Sequence, residues 1–267
     1  MCGRYAVTTD PAKLAAELDA ANEVPDLPAP EPPAQQTLDD VAAADEDKAP
    51  RSRWENYNVA PTTTILTVVD RHSHGAEGAE EDPTRRIRAM RWGLVPSWAK
   101  EIGKGSLFNA RAETVSTKAS FRSSVKSKRC LIPMDGWYEW RKATGDDGKQ
   151  RKVPYFMSPA DHTRLFMAGL WSVWRPKDAD PSEPPLLSCT ILTTDSVGRL
   201  REVHDRMPLI MPVQWWPEWL DPDAPAPAEF FAPPVPELVD DIEIREVSPL
   251  VNRVANNGPH LLDPVAT

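Results

Sequence analysis

Several things are missing from this 267-residue chain, and each absence narrows what it can be. It has no apolar run of about 18 or more residues, so no transmembrane helix is expected. No basic segment followed by an apolar one opens the chain, so no secretory leader is expected. Cysteines number only three, Cys2, Cys130 and Cys189, too few and too scattered for a disulfide framework or a zinc site. With no paired Cys/His ligands and no glycine-rich phosphate loop, no metal and no cofactor are expected. These absences describe a cytoplasmic protein with free thiols. The sequence has no internal repeats and no sign of a second core.

Positive charge is scarce overall, with a net charge of -9 that argues against a nucleic-acid binder at first sight. Its distribution argues otherwise. Asp10 to Lys48 holds 11 acidic and 2 basic residues, whereas Arg85 to Lys152 holds 17 basic and 6 acidic. A local field follows such patches and not the global sum. A solvated face is the plainer explanation of the basic stretch.

What is present reads mainly as strands. "TTILTVVD" and "RRIRAMRWGLVP" flank the acidic loop at 72–83 as a long hairpin, and "GDDGKQ" turns between "GWYEWRK" and "VPYFM" as another. "RLFMAGLWSVW" and "LLSCTILTTD" continue the pattern. Helix signals are few. "DPAKLAAELDA" has Asp10 as N-cap and Pro11 at the first helical position, and short helices are expected in "VGRLREVH" and "MPVQWWPEWL". The Pro-, Ala- and acid-rich stretch at 24–50 buries too little to order itself and reads as a surface insertion. The fold class expected is α+β, dominated by antiparallel strands.

Four residues stand out chemically. Removal of Met1 would make Cys2 the N-terminus, placing an α-amine and a thiol on one carbon. The amine is its own base, titrating near 7.7–8.0, and the pair can condense with an aldehyde to a thiazolidine. Arg4 nearby is expected to favour the thiolate. In "SLFNARAET", Asn109 and Arg111 share a face if extended, with Glu113 continuing it. An edge strand or a helix cap would explain the same stripe. Glu139 sits between Tyr138 and Trp140, a setting that raises a carboxyl's pKa, unless an arginine pairs with it. His204, beside Asp205 and Arg206 on a polar loop, is the histidine best placed for catalysis. Arg4, Arg111 and Arg206 could hold phosphates. Trp92, Leu94 and Pro96 could wedge against bases, or simply pack in the core.

"MCGRY", "YNVAPT", "MRWGLVPSWAK", "NARAET", "RCLIPMDGWYEW", "TILTTD" and "HDRMP" occur in that order. Together, over roughly Cys2 to Pro212, they resemble the SOS response-associated peptidase family. The resemblance implies a single domain of mainly antiparallel sheets, partly barrel-like, with a groove for single-stranded DNA. It also implies covalent crosslinking to abasic sites through Cys2, with Asn109, Glu139 and His204 around it, and possible lyase activity. The catalytic domain is expected over 2–230, with 231–267 assigned no role. The partner expected is single-stranded DNA bearing abasic sites, bound by a monomer that joins the nucleoid when on DNA. Two alternatives stay open: an N-terminal-nucleophile cysteine peptidase that removes its own Met1, and a non-catalytic single-strand binder.

Overall fold

A computed structural model describes residues 2–25, 54–73, 82–103, 107–145 and 147–265. Most of the 24–50 insertion and of the 72–83 loop lies outside these residues. The strands are β1 (Tyr5–Val7), β2 (Ala21–Asn22), β3 (Asn56–Val59), β4 (Thr64–Arg71), β5 (Thr84–Trp92), β6 (Asn109–Arg111), β7 (Arg129–Met134), β8 (Gly136–Thr144), β9 (Gln150–Pro159), β10 (Leu165–Trp174), β11 (Leu186–Asp195), β12 (Arg206–Pro208) and β13 (Ile242–Glu246). Among the described residues three short α-helices join them: α1 (Pro11–Glu17), α2 (Arg122–Ser127) and α3 (Trp216–Leu220). The fold is α+β and largely antiparallel, as expected.

Both expected hairpins form. β4 and β5 run antiparallel from Thr64 opposite Arg91 to Arg71 opposite Thr84. β8 and β9 pair from Trp137 opposite Met157 to Thr144 opposite Gln150. The strands make a five-stranded sheet, β13-β9-β8-β1-β3, and an eight-stranded sheet, β12-β11-β10-β7-β4-β5-β2, with β6 alongside β11. A short parallel pairing of β11 with β5 closes part of the larger sheet into a ring. Hence the barrel-like character. Gly93 makes this closure possible: its φ of 126° is costly for other residues, and its N–H donates to the Cys189 carbonyl at 2.8 Å.

Strand alternation explains where the core sits. Ile65, Val69, Ile132, Met167 and Ile191 face one way, packing with Tyr5, Trp137 and Met157 of the smaller sheet. Leu66, Val68, Leu131, Ala168 and Leu192 face the other way, against Leu14 of α1 and Trp216, Trp219 and Leu220 of α3. The larger sheet is thus covered on both faces within a single domain, as expected. A third cluster lies outside the smaller sheet, where Val247 and Val251 cover Tyr138 and Phe156.

The helices follow their local signals. Asp10 caps α1, accepting from the Ala12 N–H at 2.8 Å, with Pro11 at its first position. "VGRLREVH" yields a single 3-10 turn at Gly198–Glu202. "MPVQWWPEWL" yields α3 after a 3-10 turn. The sequence reading did not anticipate α2, which has no capping side chain. Arg129 stabilises its end: the buried guanidinium donates to the Val125 and Lys126 carbonyls and to three carbonyls around α3.

Candidate active site

Four chain segments meet at one point. Cys2 leads into β1, Asn109 opens β6, Glu139 lies on β8, and His204 sits on the turn before β12. β1 pairs with β8 at Tyr5–Trp137 and Ala6–Gly136, which brings the chain start beside "DGWYEW". Gly136 also lets β9 lie close against β8, since a Cβ there would lie 2.4 Å from the Met157 carbonyl oxygen. β6 runs beside β11 with Asn109 opposite Ile191.

The geometry is close. Asn109 Nδ2 donates to the Cys2 carbonyl at 2.6 Å, while its Oδ1 is buried with no hydrogen-bond partner among the described residues. An unmet buried acceptor is costly and marks a place where a donor belongs. His204 Nε2 lies 3.9 Å from Glu139 Oε2. Its Nδ1 is 2.9 Å from both the Arg206 backbone N–H and the Asp205 carboxylate. The neutral ring accepts from the backbone, and the protonated ring donates to Asp205, so both charge states have a partner.

Burial dominates the electrostatics. It pushes Glu139 up to about 7, with Asp205 adding to the rise and the Trp140 backbone N–H opposing it. Burial also lowers His204, though Asp205 pulls the other way. Tyr138 packs on the opposite face, beneath the C-terminal segment, while Glu139 faces the chain start and Trp140 reaches the wall of the cleft over it. The expected thiolate is also corrected. Cys2 is fully buried, and burial followed by the nearby Glu139 charge drives its pKa far up, so the sulfur is a thiol. Arg4 does not offset this, because its guanidinium turns to Asn58 and to the Val251 carbonyl, each at 2.7 Å.

The expected DNA contacts divide. Arg111 is exposed at the end of β6. Arg4 is half-buried and tied to the C-terminal segment. Arg206 is buried and neutralised by Glu113 at 2.9 Å and Asp195 at 2.5 Å, so it is a poor phosphate ligand and serves to hold the His204 turn. Glu113 does not continue a strand face, since the chain turns into a 3-10 helix at Ala112–Thr114. Trp92 is fully buried, edge-on to Tyr5 and Phe108, with its indole N–H on the Phe108 carbonyl, so it has no free face for a base.

A cleft of about 360 Å³ opens over Glu139 and His204, walled by Trp140, Lys152 and Asn252. The roles of Asn252 and Lys152 escaped sequence reading. Asn252 comes from the segment given no role, and its Oδ1 accepts from the Trp140 indole at 2.7 Å. Asn58 secures that segment, its Nδ2 donating to the carbonyls of Val251, Arg253 and Asn256. Its place in "YNVAPT" was the available signal.

The profile of the SOS response associated peptidase (SRAP) family matches residues 1–254. The abasic site processing protein YoqW of Bacillus subtilis is 37% identical over 209 residues, covering 78% of this chain and 85% of its own. The abasic site processing protein HMCES of Rattus norvegicus is 32% identical over 236 residues, covering 78% of this chain and 65% of its own. A crystal structure of a Bacteroides thetaiotaomicron protein shares the fold, with a TM-score of 0.70 at 21% identity over 99% of this chain and 100% of that one. With ordered motifs, fold and matched span in accord, the chain belongs to the SOS response associated peptidase (SRAP) family.

Proposed function

We propose that this protein processes abasic sites in DNA, capturing the open-chain aldehyde of the lesion in single strands through Cys2 once Met1 is removed. One observation carries the reading: Cys2, held by an Asn109 with an unmet acceptor, lies beside Glu139, which is poised near neutral pH in the wall of a cleft it shares with His204. The names of the relatives point to the same substrate.

Glu139 or His204 moves the proton that opens the deoxyribose ring. The Cys2 amine adds to the aldehyde carbon, and the carbinolamine loses water to give an imine. The thiol then adds across the C=N bond, its sulfur to carbon and its proton to nitrogen, closing a thiazolidine. One water is lost overall. Asn109 Oδ1 is placed to accept from the attacking amine or from a sugar hydroxyl. Holding the groups together makes each step effectively unimolecular. The imine also allows β-elimination, hence a weak lyase activity.

The test is incubation of Met1-processed protein with an abasic single-stranded oligonucleotide. Denaturing electrophoresis should reveal an adduct, and mass spectrometry should give the summed masses less one water. No denaturant-stable species, or an equal yield from a chain with a blocked N-terminus, rejects the amine mechanism.

A further inference from the structure

Positive charges on this fold are not equally available. On β5, Arg85 meets Asp70 at 3.0 Å, and Arg86 and Arg88 both pair with Glu23. Each of those cations already has a carboxylate partner within the fold, Glu23 being shared by two of them. The β8–β9 hairpin differs. Its register sets Lys142 directly opposite Lys152, and Trp140 opposite Pro154 two residues nearer the site. Residues two apart share a face, so the lysines and Trp140 form one stripe. Both lysines are exposed, and among the described residues neither has a carboxylate within ion-pair distance. Like charges directly opposite on a sheet are destabilising.

The position of this unrelieved pair is informative. Lys152 walls the cleft over Glu139 and His204, and it also walls an adjoining depression formed with Lys142, Gln150 and Arg151. The basic stripe therefore begins at the cleft and leads away from it. At the junction, the Asn252 hydrogen bond holds the Trp140 ring in place.

We propose that the β8–β9 hairpin is a track for one arm of the single strand leaving the lesion, with Lys142 and Lys152 on its phosphates. This rests on the abasic-site reading above. A phosphate backbone relieves the lysine repulsion and suits two compact ammonium charges. The hairpin flanks the cleft on one side, so only one arm reaches it.

The test uses a Lys142→Gln/Lys152→Gln double variant and two abasic oligonucleotides, one extended only on the 5′ side of the lesion and one only on the 3′ side. Undamaged oligothymidylate is the third ligand. The variant should bind one abasic oligonucleotide more weakly and the other as the wild type does. For the affected one, the log–log salt slope should become shallower by about 1.4, from roughly 0.7 per lost single-strand contact. The variant's thermal midpoint should not fall, because a repulsion has been removed. Unchanged binding to both, or equal loss on both, overturns the track. If the wild type gives no adduct with either, the abasic-site reading fails instead, and the hairpin is then judged on oligothymidylate, where an unchanged salt slope rejects it.

Discussion

Glu139 is the residue whose surroundings and chemistry are most tightly joined. Burial raises it from the ordinary 4.5 to about 7, so near neutral pH it passes between acid and base forms. As a proton donor for reversal of the crosslink, it loses efficacy as pH rises through about 7. Glu139→Gln should therefore slow decay of the purified adduct, measured with excess competitor DNA, and flatten its pH profile. His204→Ala should slow adduct formation more than decay. Decay of the Glu139→Gln adduct at the wild-type rate would mean His204 or water supplies the proton. Stability carries the same signature. The folded carboxyl holds its proton more tightly than the unfolded one, so its contribution is full below about 4.5 and is lost as pH rises through about 7. Glu139→Gln should lack that fall in denaturant titrations across this window. The four candidate residues are legible as residue types in sequence, but the cause of the shift is not. It depends on which face of β8 meets the chain start, which the β1–β8 pairing sets.

At the scale of elements, short-range pairing is legible and long-range covering is not. The β4–β5 and β8–β9 hairpins show in sequence because alternation and turn composition are local. The parallel closure of β11 on β5 has no local signal, nor does the return of residues 247–257 to the outer face of β8. That return depends on Asn58, whose side-chain amide serves three carbonyls while its Oδ1 takes the Arg4 guanidinium. Such a buried amide fixes the segment alongside the apolar contacts of Val247 and Val251. Asn58→Ala strands these groups and should cost about 1–3 kcal/mol in urea unfolding. It should also weaken the Asn252–Trp140 contact at the cleft wall. If Asn58→Ala leaves stability unchanged, the apolar contacts of Val247 and Val251 hold the segment alone.

Over the whole molecule, net charge is a poor guide to binding, because neutralisation occurs pair by pair. The basic stretch at 85–152 stands out in sequence, yet which cations remain available depends on carboxylates distant in the chain. Glu23 takes Arg86 and Arg88 from some 60 positions away, and Glu113 takes Arg206 from 93 away. Arg111 has no carboxylate partner among the described residues and lies two positions from Asn109, the residue bonded to Cys2, on β6. A contact to phosphate releases condensed counterions only if the cation was not already paired within the protein. Arg111→Gln should therefore make the log–log salt slope for single-stranded binding shallower by about 0.7. Arg88→Gln should leave the slope unchanged, because Arg88 Nε already donates to Glu23 at 2.7 Å. Fluorescence anisotropy with an undamaged oligonucleotide, titrated with salt, measures both. If the two variants shift the slope equally, the Glu23 pairs do not withhold charge from DNA, and binding follows the summed charge of the basic stretch. A shift with Arg111→Gln alone places the strand beside β6, where Asn109 reaches Cys2.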